Sequence, residues 1–161
     1  MEGALARSGL DAPALTLEIT ETALMRNADE TAARLRAIKQ LGVRIAIDDF
    51  GTGYSSLSHL QRFPVDALKI DRSFISQLTE NPEGETLIRT LVQLGKALSI
   101  ETLAEGIERQ HELSLLREEQ CDSGQGYLFA RPLEVHDTEE FLVRWQREPV
   151  AAAAVIAAAR S

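Results

Sequence analysis

The sequence predicts an α/β fold built as part of a (β/α)8 barrel of the TIM type. Short runs rich in β-branched residues alternate with amphipathic helical stretches, which is typical of parallel strands joined by right-handed crossovers. A barrel collects polar residues from the end of each strand around a ring, whereas an open doubly wound sheet concentrates its site at one switch point. The barrel is favoured because nearly every predicted strand ends in a charged or amide side chain: Glu18, Asp48, Lys69, Glu105 and Gln125.

The strands are predicted from apolar runs that glycine, proline or polar residues bound. In chain order they are 15–20, 43–49, 67–71, 99–104 and 126–129, the last closed by Pro132. A complete barrel of this type needs about 250 residues, and this chain has 161. The sequence thus predicts roughly five of eight strands, with two open sheet edges and an exposed apolar interior that invite association.

Apolar residues at helical spacing predict the intervening helices, and caps, glycine stops and proline breaks predict their ends. The first helix is predicted to begin at Asn27 or Asp29 and to end at Gly42. The second is predicted to begin at Ser55 or Ser56 and to end before Pro64. The third helix carries a stripe of Leu87, Leu91, Leu94 and Leu98, and the fourth has Leu113 and Leu116 on one face. The last helix begins with a capping box of Asp137 and Glu140 and contains Phe141 and Trp145.

Composition narrows the class of function. The formal net charge of −8 argues against a nucleic-acid polymer or a membrane surface as partner, because both need a basic face. The longest apolar run, 150–159, is far shorter than the ~20 residues of a membrane helix, and the first residues lack the apolar core of a secretory signal. The single cysteine, Cys121, fits a reducing cytosol. We therefore expect a cytoplasmic chain without a membrane segment.

The strongest local signal is an apolar strand that ends in Asp48 and Asp49 before a glycine turn. Neighbouring side chains on a strand point to opposite faces, so one aspartate is expected to face inward and the other to belong to the loop. Adjacent carboxylates repel unless a cation lies between them, and divalent cations with oxygen ligands are the usual solution. A turn in which Asp49 only caps the following backbone is the alternative.

Carboxylates and a lysine converging on one barrel mouth predict a site for two divalent metals, and these residues are Glu18, Asp48, Asp49, Glu105 and Lys69. Two such metals clamp the attacking and leaving oxygens of a phosphoryl displacement and lower the pKa of a bound water. Lys69 is expected to hydrogen-bond that water or to stabilise charge on the phosphate. Asp71, two residues further on the same strand face, is expected to orient Lys69. A structural Lys69–Asp71 ion pair at the barrel rim is the alternative.

Five motifs, spread from about Leu15 to Trp145, resemble in order and spacing the later motifs of the EAL family of cyclic di-GMP phosphodiesterases. They are Glu18-Ile-Thr-Glu21, Asp48-Asp-Phe-Gly-Thr-Gly-Tyr-Ser-Ser56, Lys69-Ile-Asp71, Ala104-Glu-Gly-Ile-Glu108 and Gln125-Gly-Tyr-Leu-Phe-Ala-Arg-Pro132. The resemblance implies that 1–147 is the C-terminal part of such a domain, holding the last five strands of a modified barrel, and that 148–161 is an Ala-rich tail. It also implies hydrolysis of one phosphodiester of cyclic di-GMP to the linear dinucleotide, with Mg²⁺ or Mn²⁺.

The resemblance further implies which residues bind the metals. Glu18 and Asp48 would be ligands of the first metal, with Asp48 bridging to the second. Asp49 would bind the second metal, and Glu105 would lie in its inner or water-mediated shell.

Other roles are implied in the same way. Lys69 would hold the nucleophilic water, and Gln125 would line the substrate site. Glu21 would anchor the loop 49–56, which in the family takes part in dimer contacts and couples them to activity. A homo-oligomer, or pairing with another EAL-like chain, is therefore expected, as is an upstream sensory or cyclase domain.

Two family motifs are missing from this chain. The family is named for a Glu-Ala-Leu motif whose glutamate is a metal ligand, and the next strand provides an asparagine ligand. Glu2-Gly3-Ala4-Leu5 has an inserted glycine and lies too close to Glu18, while Asn27 and Asn81 fall at loops or helix starts. We therefore expect the isolated chain to be weakly active or inactive. The alternatives are a degenerate module that binds nucleotide or regulates a partner, and a truncated chain without a function of its own.

Overall fold

The computed structural model describes residues 2–51, 60–78 and 82–147. Within these ranges, all strands form one parallel sheet in the order in which they follow along the chain. They are β1 (Thr16–Thr20), β2 (Arg44–Phe50), β3 (Ala67–Ile70), β4 (Glu101–Ala104) and β5 (Ser123–Gly124). A doubly wound sheet would reverse its strand order, whereas a barrel continues sequentially. The predicted α/β fold of the barrel type is confirmed, with β1 and β5 at the edges of the described sheet.

Helices alternate with these strands. Those with described bounds are α1 (Glu2–Ser8), α2 (Glu21–Met25), α3 (Ala28–Lys39), α4 (Arg72–Gln77), α5 (Pro82–Leu98), α6 (Gln110–Glu118) and α7 (Val135–Arg147). After α3 the chain passes through Gly42 at a φ of 83°, as the predicted glycine stop requires. The predicted helix start at Ser55 or Ser56 and the tail 148–161 lie outside the described residues. No helix of the described part is long and apolar enough to cross a membrane.

The hydrophobic core lies between the sheet and the helices. The strand side chains that face the helices are almost fully buried, and they are Ile45, Ile47, Leu68, Ile70 and Ala104. Helix α5 adds Ile88 and Val92, and α6 adds Leu113 and Leu116, all within the same apolar cluster. The leucine stripe predicted for α5 lies at the border of the face that packs against the core. Ile88 and Val92 are fully buried, whereas only Leu91 of the stripe is buried.

The opposite face of the sheet is more polar than predicted. Side chains that alternate with the core residues project from it. The polar ones are Thr16, Glu18, Thr20, Arg44, Asp48, Lys69, Glu101, Glu105 and Ser123, and the apolar ones are Ala46, Ala67 and Leu103. Arg44 of β2 and Glu101 of β4 form an ion pair across the intervening strand β3. In the described strands, the expected apolar interior is thus represented by a few apolar side chains among polar ones.

Two predicted elements are placed differently. The last strand is Ser123–Gly124, whereas 127–129 form a turn in which the Phe129 N–H donates to the Gly126 carbonyl at 3.1 Å. The aromatic and apolar residues of this segment resemble a strand in sequence, but Leu128 and Phe129 pack against the core from a turn, and Tyr127 is exposed. Helix α7 begins at Val135, so Asp137 lies within its first turn and is not the predicted cap.

Candidate active site

The strand-end residues meet around one ammonium group. Lys69 Nζ lies 2.6 Å from Glu18 Oε2, 2.9 Å from Asp48 Oδ1 and 2.9 Å from Glu105 Oε1. The Lys69 side chain is only 7% exposed, whereas Glu18, on the edge strand, is 50% exposed. The structure therefore brings together the predicted lysine and three of the four predicted carboxylates in a group that we call the Lys69 cluster.

Parallel pairing explains why these side chains meet. Thr20 at the end of β1 pairs with Asp48 of β2, so both strands end at one level. Lys69 of β3 pairs with Leu103 of β4, and the Glu105 N–H then donates to the Ile70 carbonyl at 3.0 Å. Because the carboxyl ends of parallel strands share one edge of the sheet, their terminal side chains converge there.

A β-bulge in β2 accounts for the two adjacent aspartates. The pairing of β2 with β3 shifts between Ile47 and Phe50, so that Asp48 and Asp49 together oppose the single residue Lys69. Asp49 adopts a φ of 54°, in the left-handed region that residues with side chains seldom occupy. Bulges occur next to active sites, where they change the direction of a side chain. Asp49 thus lies within β2, in agreement with the predicted strand 43–49 and not with its expected place in the loop, and the strand runs on to Phe50.

The charge of Lys69 is strongly stabilised. Burial alone would lower the pKa of its ammonium group, but the close contacts with the Glu18, Asp48 and Glu105 carboxylates outweigh burial and raise the pKa above its ordinary value. A lysine with a raised pKa keeps its proton at neutral pH. In this arrangement Lys69 therefore acts as a hydrogen-bond donor and a positive charge, and not as a base.

Gln125 contacts the same carboxylate oxygen of Glu105 that Lys69 contacts. Its Nε2 donates to Glu105 Oε1 at 2.6 Å. The backbone around it is fixed by two bonds, from the Gln125 N–H to the Ala104 carbonyl at 2.8 Å and from the Ile107 N–H to the Gln125 carbonyl at 3.1 Å. Gln125 and Lys69 together therefore set the position of the Glu105 carboxylate.

Glu21 lies beside the strand end of β2. Its side chain is buried at the start of α2, and its Oε2 accepts the Gly51 N–H at 3.0 Å. This contact reaches the beginning of the loop that Glu21 was predicted to anchor. The remainder of that loop, 52–56, lies outside the described residues.

Asp71 does not contact Lys69, contrary to the sequence prediction. Its carboxylate accepts the Ser73 N–H at 2.9 Å and caps helix α4. Hydrogen bonding from Ser73 lowers the pKa of Asp71. The neighbouring backbone donor holds this side chain at the helix start, because an aspartate before a helix satisfies an otherwise unpaired N–H group.

A cavity of about 420 Å³ adjoins Gln125. Arg131 in its wall lies with its guanidinium carbon 5.0 Å from the ring centroid of Tyr127, and Arg72 pairs with Glu108 at 3.2 Å. None of these four residues was predicted as a site residue. Glu108, Tyr127 and Arg131 lie inside motifs already noted in the sequence, and their place in those motifs could have indicated that they belong to the site.

The oxygen donors of the Lys69 cluster suit a divalent cation. Asp48 Oδ1 is buried and accepts no hydrogen bond of good geometry within the described ranges, although Lys69 Nζ lies 2.9 Å away. Carboxylate oxygens are the ligands that Mg²⁺ and Mn²⁺ prefer. In the described part of the chain, however, no group of three or more acidic, histidine or cysteine residues is arranged to hold a metal. The carboxylate oxygens therefore fit a divalent cation chemically, but in this structure the Lys69 ammonium lies between the carboxylates.

Replacing Glu112 with alanine is expected to destabilise the chain by about 1–3 kcal/mol, because two backbone donors lose their acceptor. Glu112 is buried in α6, and its Oε2 accepts the N–H groups of Glu108 and Arg109 at 2.9 and 3.0 Å, which holds the segment following Glu105. Urea denaturation measures the change. The matched control is Glu118→Ala on the same helix, an exposed position where we expect a change of no more than ~0.5 kcal/mol. Equal losses for both variants would contradict this role of Glu112.

An acidic mouth around a lysine, on a sheet of sequential parallel strands, defines a barrel domain with its site at the carboxyl ends of the strands. The model of the EAL domain family matches residues 1–132. The chain is 47% identical over 139 residues to the cyclic di-GMP phosphodiesterase NbdA of Pseudomonas aeruginosa, covering 86% of this chain and 18% of NbdA. It is 41% identical over 129 residues to the signaling protein YkoW of Bacillus subtilis, covering 80% of this chain and 16% of YkoW.

Comparison with solved structures also finds EAL domains. The PaMucR phosphodiesterase in complex with c-di-GMP superimposes with a TM-score of 0.81 at 40% identity, covering 84% of this chain and 55% of that one. The EAL domain of Mycobacterium smegmatis DcpA gives a TM-score of 0.83 at 36% identity, covering 89% of this chain and 64% of that one. This chain belongs to the EAL domain family, as the motifs predicted. It spans less than a fifth of NbdA and of YkoW.

Proposed function

We propose that this chain carries the acidic part of a phosphodiesterase site that hydrolyses one phosphodiester of cyclic di-GMP to the linear dinucleotide. The observation that carries the proposal is the Lys69 cluster, in which three carboxylates surround one ammonium at the carboxyl ends of parallel strands. The chain's membership of the EAL domain family supports the choice of substrate, since NbdA is a cyclic di-GMP phosphodiesterase and PaMucR was solved with c-di-GMP.

Divalent cations belong to this proposal, as Mg²⁺ or Mn²⁺. Klebsiella pneumoniae BlrP1, a solved structure to which this chain is 33% identical, is a complex with cyclic di-GMP and manganese or calcium. The residues that would hold two cations are Glu18, Asp48, Asp49 and Glu105. Such cations, when bound, neutralise charge on the phosphate and lower the pKa of a bound water.

The chain's own residues supply positioning and charge. Lys69 keeps its proton and donates to the attacking water or to a phosphate oxygen. Gln125 orients Glu105 through the 2.6 Å hydrogen bond. The adjoining cavity offers a tyrosine ring, on which a base can stack, and guanidinium groups that pair with phosphate. Glu21 holds the start of the loop that follows Asp49.

The wider setting follows from the same proposal. Residues 1–147 form the C-terminal part of an EAL domain, and 148–161 form a tail. The domain works in the cytoplasm, as a homo-oligomer or paired with another EAL-like chain, with a sensory or cyclase domain upstream.

We expect little or no hydrolysis of cyclic di-GMP by the isolated chain with Mn²⁺. Two metal ligands of the family, the Glu-Ala-Leu glutamate and the asparagine of the next strand, have no counterpart in its sequence. Chromatography of the reaction mixture measures the linear dinucleotide, with full-length NbdA as the positive control. Turnover comparable to that of NbdA would show that the residues present are sufficient.

Nucleotide binding separates this proposal from its alternative, a degenerate module that binds cyclic di-GMP or a partner without cutting it. Calorimetry with cyclic di-GMP is performed with Mn²⁺ and again with EDTA. A requirement for Mn²⁺ supports a metal-dependent phosphodiesterase site. Binding of equal strength in EDTA would favour the module, because the carboxylates would then have no part in it.

A further inference from the structure

The acidic residues of the Lys69 cluster share one counter-ion. Within the described ranges, the ion pairs of Glu18, Asp48 and Glu105 all go to Lys69 Nζ, at 2.6–2.9 Å. Three carboxylates converging without a cation would repel one another strongly, because they lie at a partly buried strand end where water screens poorly. The ammonium is therefore the group that keeps the carboxylates together in this structure.

We propose that Lys69 is a built-in counter-ion that takes the place of a divalent cation while none is bound, and competes with that cation for the same carboxylates. The inference rests on the proposed function, since it assumes that these carboxylates bind a metal.

Charge balance supports this role. Three carboxylates and one ammonium leave an excess of two negative charges, so the ammonium neutralises the carboxylates only in part and the cluster still attracts a divalent cation. The buried Asp48 Oδ1 also lacks a hydrogen bond of good geometry although it lies close to Nζ, so the ammonium satisfies this oxygen only partly. A lysine suits the task because it carries a compact charge on a flexible four-carbon stem.

Lys69→Met tests the competition, because methionine retains an unbranched stem and removes the charge. We expect Mn²⁺, followed by the electron paramagnetic resonance signal of the free ion, to bind the variant at least about tenfold more tightly than the wild type. In EDTA the variant should melt at a lower temperature than the wild type, and Mn²⁺ should reverse most of that loss. The control is Lys96→Met, whose ammonium contacts Gln120 Oε1 and the Glu119 carbonyl instead, and whose Mn²⁺ affinity should be unchanged.

Equal or weaker binding of Mn²⁺ by Lys69→Met would overturn the counter-ion role while leaving the metal site itself standing. Absence of Mn²⁺ binding to both the wild type and the variant would overturn the proposed metal site and this inference with it.

A second measurement needs no variant to fold. The chain contains three lysines, Lys39, Lys69 and Lys96, so labelling with lysine enriched in ¹³C at Cε gives three resolvable signals. We expect saturating Mg²⁺ to shift the Lys69 signal and to leave the other two unchanged, because Lys39 pairs with Asp66 away from the cluster. An unchanged Lys69 signal at Mg²⁺ saturation would overturn the proposal.

Discussion

Replacing Gly126 with alanine is expected to destabilise the chain by about 3 kcal/mol or more, because a side chain there has no space. A Cβ atom at this position would lie 2.2 Å from both the backbone N and the carbonyl oxygen of Ile107. Those atoms cannot move without breaking the bonds from the Ile107 N–H to the Gln125 carbonyl and from the Leu128 N–H to the Ile107 carbonyl. Thermal and urea denaturation measure the loss.

The matched control is Gly3→Ala. A Cβ atom on Gly3 would lie 3.4 Å from Nη1 of Arg7, the end of a flexible side chain, and Gly3 is exposed within helix α1. Alanine favours a helix over glycine by about 1 kcal/mol, so this variant should be as stable as the wild type or slightly more stable. Similar stability of the two variants would show that the contact between Gly126 and Ile107 is not tight.

The same close approach explains why one strand was predicted at the wrong place. Tyr127, Leu128 and Phe129 have the β propensity of a strand, but propensity is local and the packing of Gly126 against Ile107 is not. This packing follows directly after the short pairing of β5 with β4, and the chain then turns. A contact between residues as far apart in the sequence as Ile107 and Gly126 could not be predicted from the local pattern.

The convergence of the charged side chains at the strand ends, in contrast, was predictable, because it depends on the fold class alone. Once the strands are parallel, residues at their carboxyl ends must lie near one another, and Glu18, Asp48, Lys69 and Glu105 do. Sequence could not show that Lys69 occupies the centre, since that depends on register and on the bulge opposite it. The predicted contact of Asp71 with Lys69 is not formed, because the Asp71 carboxylate accepts the Ser73 N–H at the start of helix α4 instead.

Replacing Asp48 with asparagine is expected to weaken Mn²⁺-dependent binding of cyclic di-GMP by roughly 100-fold or more, because even the outer-shell partners of a metal contribute 10–100-fold. Asp48 is the clearest candidate ligand, since its Oδ1 is buried beside Lys69 without a hydrogen bond of good geometry. Asparagine keeps the shape and removes the charge, so the variant should remain folded by circular dichroism. Calorimetry in the presence of Mn²⁺ measures the affinity.

Asp11→Asn is the matched control, because Asp11 is exposed ahead of a short 3-10 turn and makes no side-chain cap there. Its nucleotide affinity should equal that of the wild type. If Asp48→Asn binds as tightly as the wild type, and both bind equally well in EDTA, the carboxylates of the Lys69 cluster do not act through a metal. The cluster would then be a structural ion-pair network around Lys69, and the regulatory module would be the better account of this domain.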